Sequence, residues 1–154
     1  MNRRLFLIPS ATLLASFALS DPHAQNVGKQ VISSPNAPEA IGPYSQAIKS
    51  GKTIYLSGQI AIDPKTKQLM SDASIEDQTR LVLENLKAVL AADGLTLDSI
   101  VSATVFLTDL TDFAKMNEVY ATYFKKTPPA RATVEVAHLP RSAKVEIAAI
   151  AVHP

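Results

Sequence analysis

The last predicted strand limits most strongly how this chain can fold. Residues 144–152 alternate so that two sets of side chains point to opposite faces, and both sets are almost entirely apolar. One set contains Val145 and Ile147, and the other contains Ile150 and Val152. A strand that is apolar on both faces has to be covered on both faces. The two predicted helices can cover only one face of such a sheet, so the sequence predicts a homo-oligomer that buries the other.

Two helices are predicted from the 3.6-residue spacing of apolar side chains. The first covers residues 75–92, between Ser74 as a capping residue and Gly94 in the position of a left-handed C-terminal cap. The second is shorter, covers about residues 113–124, and would be capped by Thr111-Asp112. No internal repeat interrupts this pattern.

The strands are predicted from short runs of β-branched and alternating residues. They cover residues 53–62, 100–107, 132–136 and 144–152, with a brief strand at Val31-Ile32. Gly58 interrupts the first long strand, which is typical of a bulge or of a close approach to the backbone. The order of strands and helices predicts an α+β domain.

The N-terminal residues 1–24 have the pattern of a secretory signal peptide. Arg3 and Arg4 precede a mostly apolar stretch at 5–18, and small residues follow as a cleavage region. The stretch is shorter than the roughly 20 residues that span a bilayer. We therefore expect a mature domain of residues 25–154 in the periplasm or secreted, with no membrane association. The paired arginines fit either the general secretory route or twin-arginine export.

The composition excludes several classes of function. The chain has no cysteine, which excludes disulfides, thiolate catalysis and cysteine-ligated metals. Removal of residues 1–24 leaves equal numbers of basic and acidic residues, so no nucleic-acid partner is expected. The glycines form no phosphate-binding motif, and His138 and His153 are expected to be solvated surface residues. No metal and no cofactor are expected.

Two charged residues are candidates for a functional site. Glu146 shares its predicted strand face with Ala148 and Ile150, so its carboxylate needs a partner or a raised pKa. Arg131 begins a strand after the rigid Pro128-Pro129 segment, and a guanidinium can bind a carboxylate through two parallel hydrogen bonds. The residues alone leave two interpretations open, a site or a structural ion pair between two strands.

Four separated segments carry motifs that point to a known family. They are residues 40–47 (AIGPYSQA), 56–60 (LSGQI), 113–117 (FAKMN) and 129–147, which includes PARATVEVAHLP and VEI. In this order, and over about residues 30–152, they resemble the motifs of the RidA/YjgF family, named for reactive intermediate deaminase A. The chain is thus similar to this family over nearly its whole mature length.

The resemblance implies a chorismate-mutase-like α+β sandwich, with a mixed sheet and two helices on one face, assembled as a homotrimer with clefts between subunits. It also implies hydrolysis of 2-imino or 2-enamino acids, such as 2-aminoacrylate and 2-iminopropanoate, to 2-oxo acids and ammonia. This is the activity of a 2-iminobutanoate/2-iminopropanoate deaminase, and it implies neither metal nor organic cofactor.

The resemblance also assigns the site residues. Arg131 would bind the substrate carboxylate, and Glu146 would orient or deprotonate the attacking water. Further residues would line the cleft and bind substrate: Tyr44, Ser57, Gly58, Asn117 and Thr133. Thr133 stands where several members of the family have a cysteine.

Two alternatives from other functional classes remain open. The trimer could hold small carboxylates through Arg131 without turnover, or it could act in the periplasm as a stress-related holdase through exposed apolar surface. Ribonuclease activity, described for some members of the family, fits poorly with a neutral mature chain.

Overall fold

The computed structural model describes residues 28–154 as a six-stranded mixed sheet with two helices on one face. The predicted signal peptide, residues 1–24, lies outside the described residues. The elements follow in chain order: β1 (Lys29–Ile32), β2 (Ala47–Ser50), β3 (Thr53–Gln59), α1 (Ile75–Ala91), β4 (Ile100–Leu107), α2 (Phe113–Tyr123), β5 (Ala130–Glu135) and β6 (Val145–Val152). The predicted α+β class and element order are confirmed.

The doubly apolar strand β6 lies inside the sheet, whose order is β1-β2-β3-β6-β4-β5. Its neighbours β3 and β4 are both antiparallel to it, while β4 and β5 form a parallel pair. The last strand of the chain therefore joins the meander of β1 to β3 to the pair that contains β5.

One face of the sheet is buried under α1 and α2. Helix α1 begins after Ser74, whose hydroxyl accepts a hydrogen bond from the Asp77 amide, and the chain turns at Gly94 with a φ of 73°. Leu83 and Leu86 of α1 are fully buried in one core with Val145 and other residues of β6. The predicted first helix, its N-cap and its C-terminal glycine are confirmed. Within residues 28–154, neither helix is long and apolar enough to cross a membrane.

The opposite face of the sheet is apolar and open. In β6, Ile150 is half-buried while its neighbours Ala149 and Ala151 are in the core. Register places Val31, Tyr55 and Ile150 on this open face, and the side chains of Val31 and Tyr55 are 59% and 52% exposed. An apolar face that the chain does not cover is the reason for which the sequence predicted an oligomer. The oligomer itself remains a prediction.

One predicted strand boundary and one predicted capping interaction were wrong. The strand predicted to reach residue 62 ends at Gln59, because the Asn85 side chain of α1 donates to the carbonyls of Ile60 and Ile62 and bends the chain away. Helix α2 begins at Phe113 as predicted, with Asp112 in the N-cap position, but the Asp112 side chain forms no capping hydrogen bond. A 3₁₀ turn at 110–112 precedes the helix, and the Asp109 side chain accepts the Thr111 amide.

His153 is not a solvated surface residue. Its ring contacts Asp93, which also forms a salt bridge with Lys49 at 3.0 Å. Burial raises the pKa of Asp93, but the hydrogen bonds from His153 and Lys49 outweigh it, so that this pKa lies below its ordinary value. The cluster of Lys49, Asp93 and His153 ties β2, the loop after α1 and the C-terminus together.

Candidate active site

A β-bulge at Ser57 and Gly58 shapes one part of the candidate site. The register of β3 on β6 shifts between Leu56 and Gln59. At the bulge, the Ser57 amide donates to the Gln46 carbonyl at 3.0 Å, and its hydroxyl donates to the Ser45 carbonyl at 2.7 Å. The bulge predicted from the glycine within this strand is therefore confirmed.

The Glu146 side chain occupies the space that Gly58 leaves free. A Cβ atom on Gly58 would overlap Oε1 of Glu146 and lie 2.7 Å from its Cδ. The resemblance implied that Gly58 lines the substrate cleft, and the structure shows that the space left by its missing side chain holds a carboxylate of the chain itself. Gly58 and Glu146 are thus brought together as the resemblance implied.

Glu146 faces a cavity of about 300 Å³ on the open face of the sheet. The lining residues are Ile41, Tyr44, Ser57, Gly58, Ile60, Pro140 and Glu146. Among the described residues, Glu146 forms no salt bridge, and burial raises the pKa of its carboxyl above the ordinary value. A carboxylate in this state is a stronger base than an exposed one.

Tyr44 and Ser57 contribute polar groups to this cavity. The Tyr44 hydroxyl accepts a hydrogen bond from the Ile41 amide at 3.2 Å, which fixes the loop that forms the cavity wall. The Ser57 proton is directed to a backbone carbonyl, and no histidine of the described chain hydrogen-bonds to Ser57. The geometry therefore gives Ser57 a binding role, not the role of an activated nucleophile.

Arg131 lies on the other side of the sheet, beside helix α2. Its Nη2 donates to Oδ1 of Asn117 at 2.7 Å, and its guanidinium carbon lies 4.4 Å from the centre of the Tyr120 ring. A second cavity, of about 460 Å³, includes these three side chains together with Ala121, Phe124, Pro128 and Pro129. The predicted residues Arg131 and Asn117 are therefore in contact.

Thr133 follows Arg131 on the same face of β5. Its hydroxyl is buried and has no hydrogen-bond partner within the described chain. A buried hydroxyl without a partner is unfavourable, by about 1–3 kcal/mol. Thr133 therefore retains an unused donor and acceptor near Arg131.

Arg131 and Glu146 belong to opposite faces of the sheet. Arg131 is in register with Ala103 of β4, which is buried under the helices. Glu146 is in register with Phe106 of β4, and residues three apart on a strand point to opposite faces. Within residues 28–154, no salt bridge joins the two charges. The alternative of an ion pair between their two strands is wrong for a single chain.

Two features of the site were not predicted from the sequence: Tyr120 and the apolar wall formed by Ile41, Ile60 and Pro140. Tyr120 had a signal in the sequence, because it lies three residues after Asn117 on the same face of a helix. The three wall residues lie within the motif segments quoted above, but they come from separate parts of the chain, so their convergence on one cavity had no local signal. No group of three or more metal-ligating side chains is found in the part of the chain that the structure describes.

We predict that Gly58→Ala displaces the Glu146 carboxylate and lowers the free energy of unfolding by about 1–3 kcal/mol, as expected for overpacking. The measurements are urea denaturation and a crystal structure of the variant. Gly42→Ala is the matched control, because its Cβ would meet only the Tyr44 ring at an ordinary 3.5 Å. Equal stability of the two variants with an unmoved carboxylate would contradict the prediction.

Comparison with known proteins agrees with this architecture. The family model described as Endoribonuclease L-PSP matches residues 34–153. A RutC family protein of Pyrococcus horikoshii is 55% identical over 80% of this chain and 97% of its own length. The 2-iminobutanoate/2-iminopropanoate deaminase of Mus musculus is 48% identical over 80% of this chain and 91% of its own length.

A solved structure extends the comparison to the fold. The crystal structure of E. coli TdcF with bound serine is similar with a TM-score of 0.77 and 46% identity, covering 81% of this chain and 99% of TdcF. The resemblance seen in the motifs is confirmed by these findings. The chain belongs to the Endoribonuclease L-PSP family, the family of the RidA proteins.

Proposed function

We propose that this protein is an imine deaminase that hydrolyses 2-imino acids and their enamine tautomers, such as 2-iminopropanoate and 2-iminobutanoate, to 2-oxo acids and ammonia. The name of the mouse relative, a 2-iminobutanoate/2-iminopropanoate deaminase, supports the substrate class. The main support for the proposal is that the chain holds a base and a carboxylate-binding group. Glu146 is a carboxylate of raised pKa in an apolar cavity, and Arg131 is a guanidinium held by Asn117.

We further propose that the active protein is a homotrimer in which Arg131 of one subunit faces the Glu146 cavity of the next. Two observations support this assembly. The sheet has an open apolar face that one chain does not cover, and the two charged groups lie on opposite faces of the sheet within a chain. A second subunit can bring them together, and closed rings of identical interfaces are the usual solution for such contacts.

The proposed reaction needs a base, a carboxylate anchor and an electrophile. Arg131 binds the substrate carboxylate through two N–H groups, which places C2 of the protonated imine beside Glu146. Glu146 takes a proton from water as the oxygen bonds to C2, and the electron pair of the C=N bond moves to nitrogen. Glu146 then returns the proton to the amine nitrogen. As the C–N bond breaks, Glu146 takes the proton of the new hydroxyl and the O–H electron pair forms the C=O bond, so that the 2-oxo acid and ammonia leave and the proton passes from Glu146 to solvent or ammonia.

The other site residues have binding roles in this proposal. Tyr44, Ser57 and Gly58 shape the cavity at Glu146, and the Ser57 oxygen retains acceptor capacity because its proton is directed to Ser45. Asn117 and Thr133 belong to the Arg131 side, where Asn117 orients the guanidinium and Thr133, whose hydroxyl is buried in the single chain, lies behind the binding surface.

A mixing experiment tests both the chemistry and the shared site. Imines are generated by an amino-acid oxidase, and the imine that remains is trapped with semicarbazide. We expect Arg131→Ala and Glu146→Gln each to be inactive as assembled proteins. After the two variants are unfolded and refolded together in equal amounts, about one quarter of the sites would combine intact Arg131 with intact Glu146 from different subunits.

The outcomes separate the hypotheses. Recovery of about one quarter of wild-type activity supports the shared site, whereas active single variants contradict the assigned roles. No recovery in verified mixed trimers contradicts sharing between subunits. An assembled wild-type protein without activity on any imine contradicts the deaminase proposal and favours carboxylate binding or holdase activity. Suppression of aggregation that is unaffected by Arg131→Ala identifies the holdase.

The pH dependence of the rate reports on Glu146. Its ionised form is the base, so kcat/KM is expected to rise with pH as the carboxyl loses its proton. Because burial raises its pKa, the midpoint of this rise lies above the ordinary value of 4.5. When kcat/KM is measured from about pH 4 to pH 8, we expect this rise in the wild type and in the control Glu118→Gln, which changes an exposed carboxylate. The same rise with an unchanged midpoint in Glu146→Gln would contradict the assignment.

We also propose export to the periplasm or the medium after cleavage of residues 1–24. Mass spectrometry of the protein from fractionated cells is expected to find a mature chain that begins at about residue 25. Full-length protein confined to the cytoplasm would contradict export. Replacement of both Arg3 and Arg4 by lysine distinguishes the routes, since twin-arginine export requires the arginines and the general route requires only positive charge.

A further inference from the structure

We infer that Tyr120 is a positioning residue whose ring, and not its hydroxyl, holds Arg131 in the orientation that binds the substrate carboxylate. The inference rests on the proposed function of Arg131 and deepens it. It concerns a residue that does not itself need to touch the substrate.

Two contacts orient the guanidinium. The guanidinium carbon lies over the Tyr120 ring, 4.4 Å from its centre, and the Asn117 Oδ1 atom accepts from Nη2 at 2.7 Å. The ring restricts the position of the guanidinium, and the hydrogen bond restricts its rotation. Among the described residues no carboxylate forms a salt bridge with Arg131. The remaining N–H groups are therefore available to an external carboxylate.

Tyr120 is itself firmly placed. Its side chain belongs to the core and is only 5% exposed, and its ring stacks on Phe124 with centres 4.5 Å apart and planes at 29°. Asn117, Tyr120 and Phe124 recur at positions i, i+3 and i+7 of the α2 region, so they share one side of this segment. The guanidinium thus rests on a fixed aromatic stack rather than on a mobile side chain.

The hydroxyl of Tyr120 contributes little to this arrangement: burial raises its pKa, and the neighbouring Arg131 guanidinium lowers it only in part. It is buried and has no hydrogen-bond partner in the described chain. A buried hydroxyl without a partner does not stabilise the fold, so the contribution of Tyr120 comes from its ring. Phenylalanine at this position should therefore preserve the orientation of Arg131.

Preorientation affects binding more than chemistry. An arginine that is already ordered loses less rotamer entropy when a carboxylate binds to it. Loss of the ring is expected to raise KM about 3- to 10-fold while kcat changes little. A defect in folding alone would instead reduce the amount of active protein and leave KM unchanged.

The test compares Tyr120→Leu with Tyr120→Phe and with Tyr123→Leu. Tyr123 is a matched control, because it lies on the same helix, is partly buried against the same core and does not contact Arg131. We expect KM to rise for Tyr120→Leu only, with Tyr120→Phe equal to wild type and at least as stable. If Tyr120→Leu does not fold, 3,4,5-trifluorophenylalanine at position 120 keeps the ring volume but weakens the negative face of the ring.

Calorimetric binding of 2-oxobutanoate to the assembled wild type and variants separates this inference from the proposed function. Weaker binding to Tyr120→Leu than to Tyr123→Leu supports the inference even if no imine is hydrolysed. Equal KM and equal binding for these two variants overturn it, as does a loss in Tyr120→Phe as large as that in Tyr120→Leu. A wild type that neither binds nor hydrolyses contradicts both proposals.

Discussion

Glu146 is carried by β6, a strand inside the sheet, and its carboxylate has to be accommodated without a salt bridge from the described chain. Partial burial of an ionisable group is unfavourable unless water or polar groups replace the lost hydration. The bulge in β3 provides the space, and the absence of a side chain at Gly58 keeps it free. The same constraint raises the proton affinity of the carboxylate, so the condition that makes Glu146 difficult to bury also makes it a better base.

Arg131 and Glu146 are positioned by different elements of the fold. Arg131 is ordered by α2, through a hydrogen bond to Asn117 and contact with Tyr120, and its positive charge stays near the surface. Glu146 is held by the sheet, in an apolar cavity on the opposite face. Separation within one chain prevents the two from neutralising each other. Each group therefore keeps its capacity for an external partner until a neighbouring subunit and a substrate are present, as we propose.

Features that depend on neighbouring residues in the chain could be predicted from the sequence. Ser74, the apolar spacing of α1 and Gly94 define a helix locally, and a glycine within a β-branched run predicted the bulge. The relation between Arg131 and Glu146 could not be predicted, because it depends on β4 lying between their two strands. The end of β3 was missed for a similar reason. Asn85, distant in sequence, takes the carbonyls that would have extended the strand.

The cluster of Lys49, Asp93 and His153 has a consequence for the alignment of β6. Side chains of a strand alternate, so a slip of one residue would turn Glu146 toward the helices and Val145 toward solvent. His153 immediately follows β6 and contacts Asp93 beyond α1, while its amide donates to the Lys52 carbonyl at 2.9 Å. These contacts fasten the end of the strand to two other elements. A cluster that lines neither cavity thus adds to the strand pairing that holds the only carboxylate of β6 on the correct face.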